Sequence, residues 1–218
     1  MAGSEQENLA DVRREYLQDA LRRADLHREP VAQFHLWLAD ALEAGVEDAT
    51  AMNLSTVGGD GQPSSRTVLL KGADEEGFRF FTCYGSDKAK AMRDNPRVAL
   101  HFFWPRLSRQ VAVRGPAQKL SRAESVQYFS KRPRGSQLAA WASCQSAEVS
   151  GRAELEQDFL DCERRFEGGD VPMPPDWGGY IVEPEVFEFW QGRPGRLHDR
   201  FVYVPDRLGG WSLSRLAP

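Results

Sequence analysis

Several short stretches of this sequence gather cations with hydroxyls or aromatic rings at spacings that suit an anion. In Arg66-Thr67-Val68-Leu69-Leu70-Lys71, strand periodicity puts Arg66, Val68 and Leu70 on one face and Thr67, Leu69 and Lys71 on the other. Two cations on opposite faces can address two different anions, although an edge strand with two solvated charges has the same pattern. Gly85-Ser86-Asp87-Lys88 sits at an expected helix start, where free N–H groups and Lys88 can hold an anion against the local charge of Asp87. It can equally be an ordinary first turn. Tyr128 and Arg132 are four apart, Pro133 ends their helix and Ser136 lies just beyond. Hydroxyl, guanidinium and hydroxyl converging there suit a phosphate dianion, or a basic helix end complementing its dipole. Trp190 to Arg200 carries Arg193, Arg196, Arg200 and His198 around Gly192, Pro194 and Gly195. So many donors are costly to bury without a ligand, which favours a site. Arg13-Arg14-Glu15-Tyr16 and Arg22-Arg23 are weaker candidates that also read as solvated helix surface.

Scattered cations of this kind point to an enzyme that holds phosphorylated small molecules. No Gly-x-Gly-x-x-Gly and no Walker-type loop is present, so side chains must meet the phosphate. Composition narrows the class. The chain has 218 residues, 41% of them apolar and 28% charged, which suits one folded domain with helical additions. A formal charge of -4 argues against a general nucleic-acid binder. No apolar run reaches the roughly 20 residues that span a bilayer. Met1 to Asn8 is polar, unlike a signal peptide. Cys83, Cys144 and Cys162 are widely spaced, as expected of reduced thiols in a cytoplasmic protein. The four histidines lack metal-ligand spacing, so no metal is expected.

The elements that must position these residues are mainly β. A helix is expected over Glu7 to Leu21, and a second opens at Pro30 with Val31, Phe34, Trp37, Leu38, Ala41 and Leu42 on its apolar face and Gly45 ending it. Ala51 to Val57 and Ser64 to Lys71 flank a turn-rich segment and read as a hairpin. Gly77 to Cys83, Arg97 to Trp104 and Arg109 to Lys119 read as strands, with a short helix between the first two that Ser86 can cap and Asn95-Pro96 stops. Ser121 and Glu124 make a capping box, and Pro133 breaks that helix. Ala153 to Phe166 is amphipathic and helical, and Asp170 to Pro175 is a proline-rich loop. Gly178–Glu183, Glu185–Gln191, Arg200–Val204 and Trp211–Arg215 close the chain as strands. Hairpin links outnumber βαβ units, so an antiparallel barrel with helices packed outside (α+β, mainly β) fits best.

Seven motifs in order bring a resemblance: Arg13-Arg14-Glu15-Tyr16, Arg66 to Lys71, Arg132-Pro133-Arg134-Gly135-Ser136-Gln137, Trp177-Gly178-Gly179-Tyr180, Glu188-Phe189-Trp190-Gln191-Gly192, Arg196-Leu197-His198-Asp199-Arg200 and Arg215 to Pro218. Together they resemble the pyridoxamine 5′-phosphate oxidase family from about Arg13 to the C-terminus. The resemblance implies a split β-barrel that binds FMN over residues 21–218, with residues 1–20 as a mobile helical lid. It implies a homodimer with FMN at the subunit interface, and oxidation of pyridoxamine or pyridoxine 5′-phosphate to pyridoxal 5′-phosphate by O2 with release of H2O2. The implied FMN contacts are Arg66, Thr67, Val68, Leu69, Leu70, Lys71, Phe81, Thr82, Lys88, Gln110, Gln145, Ser146, Trp190 and Arg200. The implied substrate contacts are Arg13, Tyr16, Lys71, Tyr128, Arg132, Ser136, Arg196 and His198. Arg196 and His198 are also the expected catalytic pair, projecting to one side of an extended segment. Relatives often carry a basic residue where this chain has Asp87, which implies a weaker grip on the flavin phosphate. A flavin or pyridoxal phosphate carrier without turnover, and a split-barrel reductase using a nicotinamide, are the rival readings.

Overall fold

The computed structural model describes Tyr16 and residues 20–218. The expected first helix, the lid over residues 1–20 and Arg13 therefore lie, apart from Tyr16, Ala20 and Leu21, outside the described residues. The described residues form five α-helices and ten strands. They are α1 Pro30–Glu43, β1 Ala51–Val57, β2 Pro63–Leu69, β3 Gly72–Asp74, β4 Gly77–Cys83, α2 Asp87–Asp94, β5 Arg97–Trp104, β6 Arg109–Lys119, α3 Arg122–Ser130, α4 Arg134–Ala142, α5 Arg152–Arg165, β7 Trp177–Val182, β8 Val186–Gln191, β9 Asp199–Pro205 and β10 Trp211–Leu216.

Every strand pair is antiparallel. One sheet path runs β10-β9-β8-β6-β5-β1-β2. The long strand β6 forks: Arg109 to Arg114 pairs with β8, while Ala117 to Lys119 pairs with β7. β7 in turn pairs with β4. The strands thus curve round from β2 through β1, β5, β6 and β7 to β4, and β2 and β4 do not form a ladder with each other. That gap is the split in the barrel. Lys71 N–H spans it, donating to the Arg79 carbonyl at 2.8 Å.

Gly115 makes the fork possible. A Cβ there would stand 1.8 Å from the Glu183 carbonyl oxygen, where the chain passes from β7 to β8. Only a residue without a side chain admits that approach.

The inner face of the sheet is aromatic. Phe78, Phe80, Phe102, Trp104, Phe187, Phe189, Phe201 and Tyr203 are fully or almost fully buried. α1 lies against this face: Phe34 meets Phe78 and Phe102, and Trp37 packs edge-on against Phe189. Its buried stripe is Val31, Phe34, Trp37 and Ala41 with Gln33, whereas Leu42 points outward, 58% exposed. Gln33 is buried because its side-chain oxygen accepts the His27 N–H. A second core of Cys83, Phe129, Leu138, Val171, Met173 and Trp177 sits under α3 and α4.

Three local expectations change. Ser86 occupies the N-cap of α2, but its hydroxyl donates to the Cys83 carbonyl at 2.7 Å and does not cap the helix. Pro133 ends the first helical run and at once starts α4, where it is the N-cap, so the chain bends between two helices. Residues 194–196 form a 3-10 turn, with Arg196 left-handed at φ 61°. Strand alternation therefore does not place Arg196 and His198 on one side.

Candidate active site

The expected site residues fall into three groups of contacts. The first lies at the barrel split. Along β2 the alternation holds: Arg66 and Val68 are half-buried and Leu70 buried, while Thr67, Leu69 and Lys71 are exposed. Arg66 reaches back across the hairpin, donating to the Leu54 carbonyl (3.0 Å), Thr56 Oγ1 (2.8 Å) and Ser64 Oγ (2.6 Å). Lys88, in the first turn of α2, is only 8% exposed, and its ammonium donates to Thr82 Oγ1 at 3.3 Å. Thr82 Oγ1 donates to Gln145 Oε1 at 3.0 Å, and Ser146 Oγ accepts the Asp87 N–H at 3.3 Å. Ser146 itself is left-handed at φ 72°, a conformation that costs a non-glycine residue about 1–2 kcal/mol.

Arg66 and Lys88 make no ion pair among the described residues. Burial, and then repulsion from Arg66, pulls the Lys88 ammonium below its ordinary pKa. Burial likewise lowers Arg66, partly offset by Asp87. Two desolvated cations side by side, each satisfied only by neutral oxygens, are unfavourable until an anion joins them. The helix start of α2 adds N–H groups of the same sign.

The second group forms where α3 meets α4. Tyr128, in the last turn of α3, stacks on Phe81 with centroids 3.8 Å apart, and Phe81 stacks on Trp177 at 5.6 Å. Arg132, in the link, lies over the Trp177 ring at 4.7 Å. Among the described residues its Nη1 is buried without a hydrogen-bond partner. Burial pulls the Arg132 guanidinium down and the neighbouring Tyr128 partly restores it. Ser136 is in the first turn of α4, so the three residues flank a helix–helix joint and do not sit at one helix end. Trp177 was not an expected contact. Its signal was the pair of glycines after it: a Cβ on Gly178 would lie 2.1 Å from Tyr84 Oη, and one on Gly179 2.8 Å from Phe81. Small residues there leave room for the ring stack.

The third group is a cross-strand row on the outer face. Phe103 opposes Gln110, Gln110 opposes Trp190, and Trp190 opposes Arg200. Directly opposed side chains stand about 5 Å apart, so register alone aligns three expected cofactor contacts. Arg200 is held by Glu188 at 2.8 Å and donates to the Ala217 carbonyl at 2.9 Å. His198 rests against Trp190 (4.6 Å) and Tyr16 (5.3 Å). Its Nδ1 accepts the Arg193 N–H at 3.1 Å, which requires that nitrogen unprotonated. Burial and then Arg196 lower the His198 pKa from 6.5, consistent with a neutral ring carrying its proton on Nε2. The donor density of residues 190–200 is partly absorbed by the carboxylates of Glu188 and Asp199. Asp199 takes Arg215 (2.5 Å), Arg193 (3.5 Å) and the Leu21 N–H (3.0 Å), leaving Arg196 as the exposed cation of the loop. Lys71 is exposed on the outer side of the hairpin and joins none of the three groups.

Comparison with known proteins is consistent with this arrangement. Residues 38–164 match the family model described as pyridoxamine 5′-phosphate oxidase, more than half of the chain. This chain belongs to the pyridoxamine 5′-phosphate oxidase family. It is an enzyme of the oxidoreductase class. Residues 177–218, which hold Trp190, Arg196, His198 and Arg200, match the family's C-terminal dimerisation region. The pyridoxine/pyridoxamine 5′-phosphate oxidase of Teredinibacter turnerae is 52% identical over 97% of this chain and 100% of its own length. That of Rubrobacter xylanophilus is also 52% identical, covering 97% of each chain. Among solved structures, PhzG from Burkholderia lata, in complex with tetrahydrophenazine-1-carboxylic acid, is 29% identical with a TM-score of 0.85 over 92% of this chain and 98% of its own. An FMN-binding protein related to the oxidase from Nostoc punctiforme, 18% identical with a TM-score of 0.68 over 85% of this chain and 97% of its own, shares the fold. Among the described residues no helix is long and apolar enough to cross a membrane, and no group of His, Cys, Asp and Glu could hold a metal ion.

Proposed function

We propose that this oxidase binds FMN and converts pyridoxamine 5′-phosphate and pyridoxine 5′-phosphate to pyridoxal 5′-phosphate, with O2 as acceptor and H2O2 as product. The observation that carries the reading is a pair of separate cation sites that form no ion pair among the described residues, Arg66 with Lys88 and Arg132 alone. The reaction needs two phosphorylated molecules side by side, and the chain offers two phosphate sites. Arg66, Lys88, Thr82, Gln145 and Ser146 fit the FMN phosphate by charge and donor set. Gln110, Trp190 and Arg200 fit its ring. Tyr128, Arg132 and Ser136 fit the substrate phosphate, with Lys71 and Arg13 as further expected contacts.

In the sheet path, β2 lies four strands from β8, about 19 Å along the sheet at ordinary strand spacing. A homodimer that sets the outer row of one subunit beside the split of its partner would bring both halves of the flavin site together. The match of residues 177–218 to a dimerisation region supports this reading.

FMN, held by Arg66, Lys88, Gln110, Trp190 and Arg200, would supply the two-electron redox chemistry between C4′ of the substrate and oxygen. The chain supplies position and charge. Arg132 and its hydroxyl neighbours hold the remote phosphate, and that binding energy orients the pyridine ring. His198, neutral with its proton on Nε2, and Arg196 would cover the substrate ring on the side away from the flavin. Tyr16 closes over them: its ring is 5.7 Å from Trp190 and edge-on.

Gly192 makes that closure possible, since a Cβ there would stand 2.5 Å from Tyr16 Cδ1. Gly192→Ala is expected to cut kcat/KM about tenfold, within the range seen when a closing element is misplaced. Flavin content should stay unchanged; parallel loss of flavin would remove Tyr16 from the lid role. Asp87, its side chain 72% exposed, places a negative charge beside the cation pair. Asp87→Asn is expected to slow FMN release about two- to threefold at low salt, an effect that fades as salt is added. A salt-independent change would point to altered packing of α2.

Adding pyridoxamine 5′-phosphate to the flavin-loaded protein in air tests the function. Aldehyde and peroxide should appear together in equal amounts over many turnovers. Binding without peroxide would make the chain a carrier, and bleaching only by a reduced nicotinamide would make it a reductase.

A further inference from the structure

His101 and Gln110 are diagonal neighbours on the outer face of β5 and β6. His101 opposes Ala112, and Phe103 opposes Gln110. His101 Nε2 lies 2.9 Å from Gln110 Oε1. A carboxamide oxygen only accepts, so the imidazole donates its Nε2–H. Both side chains are half-buried, and no other side-chain hydrogen bond holds the Gln110 amide among the described residues.

A glutamine amide has an accepting end and a donating end, and turning it over exchanges them. Next to an apolar neighbour the two orientations would be close in energy. In the tautomer that carries its proton on Nε2, His101 breaks that balance. With the oxygen held toward the imidazole, the NH2 group is what Gln110 offers to a ligand on the row it shares with Trp190 and Arg200.

We propose that His101 is a positioning residue that fixes Gln110 as a hydrogen-bond donor to the flavin ring. This rests on the reading that Gln110 touches the flavin. Electron density on the ring grows when it is reduced, so a donor fixed there favours the reduced form, and a carbonyl turned toward it would oppose reduction.

The test uses flavin-loaded protein and two readouts: the rate of FMN release on dilution, followed by flavin fluorescence, and the midpoint potential of the bound flavin. His101→Leu should release FMN about fivefold faster and lower the potential, in keeping with loss of one oriented neutral hydrogen bond. Gln110→Ala should release it about tenfold faster, and His101→Leu should add nothing in that background. His101→Gln keeps a donor at similar reach and should restore both readouts to within twofold. If Gln110→Ala changes neither readout, Gln110 does not touch the flavin and the proposal falls with that contact. If Gln110→Ala acts and His101→Leu does not, or acts equally with and without Gln110, the positioning role alone is overturned.

Discussion

Arg132→Met is expected to lower kcat/KM for pyridoxamine 5′-phosphate about 100-fold and to leave the slow oxidation of unphosphorylated pyridoxamine unchanged. Two decades correspond to about 2.7 kcal/mol. A charged hydrogen bond contributes about 1.5–3 kcal/mol, and a guanidinium commonly makes two to a phosphate, so the loss is within reach. Because substrate binding far from C4′ orients the ring, kcat should fall along with the rise in KM. Stability should move the other way. Arg132 Nη1 is buried without a partner and the guanidinium is pulled below its ordinary pKa by burial. Methionine keeps most of the apolar contact with Trp177 and removes the desolvated charge, so the substrate-free melting temperature should hold or rise. Equal losses with phosphorylated and unphosphorylated substrates would take Arg132 out of phosphate recognition.

Lys88→Met is expected to release FMN about 100-fold faster while leaving KM for the substrate nearly unchanged in whatever flavin-loaded fraction remains. Lys88 is buried, and its charge is disfavoured most by burial and then by repulsion from Arg66. Without the phosphate this pair is a liability to the fold, and with it a charge-assisted clamp. The variant should therefore melt higher than the parent when flavin-free and gain less on adding FMN, since stabilisation by a ligand scales with its affinity. A parent-like gain on adding FMN would mean that Lys88 does not reach the phosphate.

Local patterns were legible where neighbours in sequence are neighbours in space. The Arg66–Lys71 alternation, the Ser121–Glu124 capping box and the stripe of α1 all follow from strand or helix period. α4 is not legible in the sequence because Pro133 both stops one helix and starts the next, and the two signals are the same residue. β3 is three residues long, too short for any period to register. The turn at residues 194–196 is hidden in the sequence because one of its two left-handed residues is an arginine, not a glycine. Long-range facts were beyond the pattern. Gly115 matters because Glu183 crosses it, and the pairing of Arg66 with Lys88 depends on α2 folding back onto the hairpin. The row of Gln110, Trp190 and Arg200 exists only through strand register, so the resemblance to the family named these residues before any spacing could.

The division of two phosphates between two cation sites can be read directly by phosphorus NMR of the flavin-loaded protein saturated with pyridoxal 5′-phosphate. Two separate bound resonances are expected, with Lys88→Met perturbing the FMN signal alone and Arg132→Met the pyridoxal phosphate signal alone. One shared environment, or both signals shifting together in either variant, would contradict the account.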